Sequence, residues 1–171
     1  MPKRILIVTV IILFTYSLHS GNIISKASTK ITASTTLDSN RKVLTDFAMN
    51  YLGTPYRYAS IDPEKGFDCS GFVHFVFKNF DINVPHSSKA FNSVGTDVKP
   101  KDFKVGDVLV FYGYRNASQI GHVGIICEAN GMNSKFIHSS SGKVKGVIIS
   151  ELNSQTYSKR FYKCVDIIGN L

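Results

Sequence analysis

Apolar residues in the first half of the chain recur at three- and four-residue spacing; in the second half they alternate or run in short blocks. Val43, Leu44, Phe47, Ala48, Tyr51 and Leu52 form one helical stripe. Asp38, Ser39 and Asn40 are good caps ahead of it, Gly53 fits its C-terminal end, and Pro55 stops it. Thr54 to Tyr58 then reads as a short extended piece. A second stripe, Phe72, Val73, Val76, Phe77 and Phe80, predicts a buried helix that Asp68 can cap, with Cys69 in its first turn. Ser87 to Val94 is a further short helix. Five strands follow, over Val108–Tyr112, His122–Glu128, Lys135–Ser139, Val144–Ser150 and Phe161–Ile168. Helices first and strands later predict an α+β fold with an antiparallel sheet.

The first residues change the picture of organisation. Lys3 and Arg4 precede an apolar run, Ile5 to Phe14, that fades by Leu18. It is shorter than the roughly 20 residues of a membrane span and has the form of an export signal. Residues 1–27 are assigned to the signal, 28–37 to a Ser/Thr/Lys-rich tether and 38–171 to one domain. The expected protein is exported (periplasm, cell surface or secreted) and monomeric, with no stable membrane span once the signal is removed.

Charge narrows the partners. The formal balance is +8, and without Lys3, Arg4 and Lys26 it is 17 basic against 12 acidic residues, or +5. The lysines are scattered, with no basic run, which argues against nucleic acid and suits an anionic polymer such as a cell wall. Three cysteines, Cys69, Cys127 and Cys164, leave at least one free thiol in an exported protein.

A thiol in the first turn of a helix meets the positive end of the dipole and free N–H groups, which favour thiolate. The alternative is a small cysteine that only packs. A nucleophile needs a base, and the base a partner. His122 and His138 straddle the Asn130-Gly131 turn symmetrically, so a hairpin centred there sets them opposite each other, with Val123, Ile125 and Cys127 on the other face as core. The alternative for Cys69 with two histidines is a zinc set, but no fourth ligand is evident. No metal or cofactor is assigned. His74 falls one step off the buried stripe, and His86 lies in a loop.

Asp68-Cys69-Ser70-Gly71-Phe72-Val73, Gly121-His122-Val123-Gly124-Ile125 and Phe136-Ile137-His138-Ser139 resemble the three signature blocks of the NlpC/P60 family of papain-like cysteine peptidases. Leu52 to Tyr58 resembles the family's opening block and Val105 to Phe111 its Gly-Asp strand, so the likeness covers about residues 41 to 168. It implies helices packed on a five- to six-stranded antiparallel sheet. It also implies Cys69 as nucleophile, His122 as base and His138 as its orienting partner. Tyr56 would help hold the oxyanion, while Asp68 and Ser70 would contact the free amino end of the substrate. The implied substrate is a peptidoglycan stem peptide, cut between D-γ-glutamate and a diamino acid. Three positions depart from the family pattern. Ala59-Ser60 stand where two glycines are frequent, and His86 where an arginine is common. Two rival readings stay open, a wall-binding module without catalysis and an amidase or acyl transferase using the same three residues.

Overall fold

The computed structural model describes residues 35–114 and 116–170; the expected signal, residues 1–27, and the tether up to residue 34 lie outside them. The compact unit that carries the site spans residues 39–171. Among the described residues helix α1 covers 35–49, so the chain is already helical three residues ahead of the expected cap and the helix takes in the end of the expected tether. Two short strands follow, β1 (Ile61–Asp62) and β2 (Gly66–Phe67), then helix α2 (Cys69–Lys78) and a 3₁₀ segment over Ser88–Ser93. The remainder is β3 (Thr96–Val98), β4 (Val108–Tyr112), β5 (Ile120–Glu128), β6 (Lys135–Ser140), β7 (Gly146–Glu151), a four-residue helix α3 (Gln155–Ser158) and β8 (Phe161–Asp166). Strands β3 to β8 form one six-stranded antiparallel sheet in the order β3-β8-β4-β5-β6-β7.

One face of the sheet takes the helices. Val108, Val110, Val123, Ile125, Ile137 and Val147 pack with Leu44 and Ala48 of α1 and with Phe72, Val73, Val76 and Phe77 of α2. Rings join the two helices, Tyr51 meeting Phe75 at 4.9 Å between centroids and Phe47 meeting Phe75 at 5.9 Å. Full burial of a phenylalanine contributes about 1.5–3 kcal/mol, against about 1 kcal/mol for a helix cap. Packing of Phe72 and Phe77 therefore holds α2, and the polar start of the helix is free to serve the site. The other face carries a second core of Leu109, Phe111, Ile126, Phe136, Leu152 and Cys164.

The stripe on α1 departs from expectation. Val43 and Leu52 are exposed, while Arg41 and Thr45 are buried. The reason is an ion network that apolar periodicity does not reveal. Arg41 Nη1 donates to Asp107 Oδ1 at 2.7 Å and Nη2 to Asp166 Oδ1 at 2.5 Å, tying α1 to the start of β4 and the end of β8. A backbone N–H from Lys104 reaches the second oxygen of Asp107 at 2.8 Å.

The segment after α1 is clamped on both sides. Gly53 N–H donates to Val147 O and Val147 N–H to Thr54 O, at 2.9 and 2.8 Å. On the other side Phe67 N–H donates to Pro55 O at 3.0 Å and Arg57 N–H to Phe67 O at 2.9 Å. Ala59 has φ of 54°, a left-handed conformation that glycine adopts without strain. This is a position where the resembled family pattern carries glycine, and alanine takes up the conformation here at a steric cost.

Removing Arg41 leaves Asp107 buried without its charge partner, a change that costs about 3–5 kcal/mol in comparable pairs. Arg41→Ala is expected to lower unfolding stability by that amount in urea denaturation. A loss under about 1 kcal/mol would show that the network is not what holds α1.

Candidate active site

Cys69 is the first residue of α2 and only 9% exposed. Asp68 caps the helix, with its Oδ1 accepting from Gly71 N–H at 2.7 Å and from Ser70 Oγ at 3.1 Å. Gly71 is required by proximity, because a Cβ there would run into the carbonyl oxygen of Ser60. That same carbonyl accepts from Asp68 N–H at 3.1 Å, and Ser139 Oγ of β6 donates to Phe67 O at 2.7 Å. The start of α2 is thus fastened both to the Ala59-Ser60 turn and to the sheet.

The backbone N–H of Val123 on β5, one residue from His122, favours the ionised form of the thiol. His122 Nε2 lies 2.8 Å from His138 Nδ1, with the rings perpendicular and their centroids 4.8 Å apart. His138 Nε2 in turn lies 3.0 Å from Ser150 Oγ and 3.3 Å from the Tyr157 hydroxyl. Phe136 stacks on His138 at 4.7 Å, so the ring is held by contacts on several sides.

The strand register differs from the expected hairpin. Ile125 pairs with Ile137 and Ile126 with Phe136, and the pairing shifts before Glu128 meets Lys135. Continued toward the site, this register sets Gly124 rather than His122 opposite His138. The offset is two residues, which keeps both histidines on one face and makes them diagonal neighbours. Gly124 lets His138 lean across, since a Cβ there would come within 2.9 Å of His138 Cβ and 2.6 Å of Phe136 Cδ2. Cys127 falls at the irregularity and is half-buried at the margin of the core rather than within it.

Burial governs the electrostatics. It pushes the Cys69 thiol up to about 11, helped by the Asp68 carboxylate and opposed by the N–H groups of Val123, Ser70 and Cys69 itself. Desolvation outweighs those donors and works against the thiolate expected from the helix start. Burial also holds His122 well below its usual range, with His138 and Arg160 adding to the effect, and takes His138 down to about 3. Burial therefore favours the neutral form of both the thiol and the imidazole. Tyr56 is half-buried, and burial with the nearby Cys69 and Asp68 pushes its hydroxyl up to about 12 against a hydrogen bond with Ser141.

A cleft of about 820 Å³ reaches Tyr56 and His122 and is walled also by Tyr58, Ser141, Tyr157 and Arg160 among others, while Cys69 and His138 lie behind its lining. The structure thus brings Cys69, His122, His138, Tyr56, Asp68 and Ser70 to one place. His86 comes near as well, its Nε2 3.4 Å from Asp68 Oδ1, whereas His74 Nδ1 is taken by Val84 O at 2.6 Å. Sequence reasoning missed Ser150, Tyr157 and Arg160. No residue pattern marks the first two, and only the lone arginine just before β8 offered any signal. Among the described residues no set of His, Cys, Asp and Glu gathers to hold a metal, and all three cysteines are free thiols.

Residues 53–166 match the family model of the NlpC/P60 family. The chain is 30% identical over 158 residues to a gamma-DL-glutamyl hydrolase of Bacillus subtilis, covering 91% of this chain and 34% of that protein. It is 32% identical over 126 residues to the murein DD-endopeptidase MepS/murein LD-carboxypeptidase of Escherichia coli K12, covering 73% and 61%. The chain thus spans about a third of the first relative and under two thirds of the second. A crystal structure of an NlpC/P60 family protein from Bacillus cereus superposes with a TM-score of 0.64 at 26% identity, covering 73% of this chain and 39% of that one.

The neutral resting state has a direct readout. Alkylation of Cys69 by iodoacetamide in the native protein, followed by peptide mass spectrometry, is expected to be slow at pH 7 and to climb toward pH 11. A rate already level below pH 8 would show a resting thiolate.

Proposed function

Because the chain belongs to the NlpC/P60 family, we propose that it is an exported cysteine peptidase that hydrolyses peptidoglycan stem peptides, with Cys69 as nucleophile, His122 as base and His138 as its orienting partner. The observation that carries this reading is the 2.8 Å contact between the two buried histidines beside a buried thiol at a helix start. The bond we assign is that between D-γ-glutamate and a diamino acid, a choice supported by the γ-glutamyl specificity in the name of the Bacillus relative.

The hydrogen-bond pattern dictates the proton path. For His122 Nδ1 to accept a proton, its Nε2–H donates to His138 Nδ1. His138 must then carry its own proton on Nε2, where the Ser150 and Tyr157 oxygens receive it. His122 Nδ1 takes the Cys69 proton as the sulfur attacks the amide carbonyl, forming the C–S bond and an oxyanion. The N–H groups at the start of α2 and the Tyr56 hydroxyl, kept protonated by its raised pKa, receive that charge. His122 then gives its proton to the leaving amine as the C–N bond breaks. Water, deprotonated by His122, releases the acyl group from sulfur. Asp68 and Ser70 contact the amino end of the stem peptide. Residues 1–27 act as the export signal, and among the described residues no helix is long and apolar enough to cross a membrane.

Purified protein incubated with isolated peptidoglycan is expected to yield products ending in D-γ-glutamate by mass spectrometry, with none formed by Cys69→Ala. Retained hydrolysis in that variant would remove Cys69 from the mechanism. Freed lactyl ends would identify an amidase, and new amide bonds a transferase. His138→Ala is expected to lower kcat by about 10²- to 10⁴-fold with little change in KM. An unchanged kcat would exclude the orienting role.

A further inference from the structure

An imidazole at the end of a relay differs from a carboxylate, because it can pass its proton to either neighbour. His138 Nε2 faces two hydroxyls, Ser150 Oγ on β7 at 3.0 Å and Tyr157 Oη on α3 at 3.3 Å. Each of them can accept a hydrogen bond there or donate one. If Nε2 carries the proton, His138 Nδ1 accepts from His122 Nε2 and leaves His122 Nδ1 free as a base. If a hydroxyl donates to Nε2, the order reverses. His138 then donates from Nδ1, and His122 holds its own proton on Nδ1, where it cannot take the one from the thiol.

The two hydroxyls are unequal. A phenol is a better donor than an alcohol, and an imidazole nitrogen is a better acceptor than a hydroxyl oxygen, so Tyr157 alone beside His138 would donate to it. Burial pushes the Tyr157 hydroxyl up against hydrogen bonds with Ser150 and Ser140, so the phenol has a proton to give. Ser150 interferes in two ways. Its oxygen is the nearer acceptor for a His138 N–H, and it offers the Tyr157 proton another destination. Ser150 is itself only half-buried, which leaves solvent as an outlet for its own proton. A count of partners points the same way. A proton on Nε2 serves both oxygens in a three-centre bond, whereas a bare Nε2 has one lone pair and leaves one hydroxyl facing it unpaired.

We propose that Ser150 is a positioning residue of the active site: it keeps the Tyr157 proton off His138, so that the histidine pair rests in the tautomer in which His122 is the base. This deepens the peptidase reading above and rests on it.

The test compares variants on a stem tetrapeptide that contains the D-γ-glutamyl–diamino acid bond. Ser150→Ala leaves Tyr157 alone at Nε2 and is expected to lower kcat by about 10-fold, with KM changed by less than about 2-fold. Ser150→Thr keeps the hydroxyl and is expected to stay within about 3-fold of wild type. Tyr157→Phe keeps the ring contacts with Phe111, Phe136 and His122 and removes only the donor. Added to Ser150→Ala, it is expected to raise kcat by about 3-fold or more over Ser150→Ala alone, because the two changes act on one proton. Nitrogen-15 NMR of Ser150→Ala without substrate is expected to show the protons of both His122 and His138 moved from Nε2 to Nδ1. Additive losses in the double variant, or both rings still protonated at Nε2 in Ser150→Ala, would overturn the proposal. A wild-type protein that cuts no stem peptide would sink the peptidase reading, and the NMR comparison then decides the role of Ser150 by itself.

Discussion

Two buried imidazoles whose facing nitrogens lie 2.8 Å apart can hold only one proton between them without charging a dry site. That constraint couples the tautomers of the two rings. It points the remaining nitrogen of His138 at Ser150 and Tyr157 and leaves the remaining nitrogen of His122 for the thiol side. The surrounding fold maintains this spacing. Gly124 supplies the gap into which His138 leans, Phe136 backs the ring, and the β5–β6 register places the two histidines diagonally. Neither ring can move far without meeting packed atoms.

The same burial that fixes the geometry opposes ionisation. A thiol at a helix start would ordinarily be eased toward thiolate, yet here desolvation dominates and the proton stays on sulfur. A neutral pair is compatible with catalysis if the proton moves only when a carbonyl is in place to take up the charge. Backbone N–H groups already aimed at the sulfur then serve the oxyanion as the reaction proceeds. The enclosed start of α2, fastened to Ser60 and Ser139, keeps those donors in position.

Much of this was legible in the residue pattern. The stripe on α2, the Asp68 cap and the five longer strands follow from periodicity and turn residues. The pairing of His122 with His138 follows from their symmetric placement about a turn, although the true register is offset by two. Pattern reading fails where long-range pairing decides the outcome. Arg41 looks like a surface residue until Asp107 and Asp166 arrive side by side at the same end of the neighbouring strands β4 and β8. Strand β3, three residues of Thr-Asp-Val, exists because β8 offers it an edge. Tyr157 and Ser150 reach His138 from a short helix and a neighbouring strand, and nothing local announces either contact.

The charge state of the histidine pair can be observed without substrate. Nitrogen-15 NMR of the imidazole side chains, followed through a pH titration, reports protonation and tautomer for each ring. Both rings are expected to be neutral at pH 7, with His122 and His138 each protonated at Nε2, and His138 is expected to stay neutral to about pH 3. An imidazolium at pH 7, or either ring titrating near its ordinary value of about 6.5, would contradict the neutral relay on which the proposed mechanism stands.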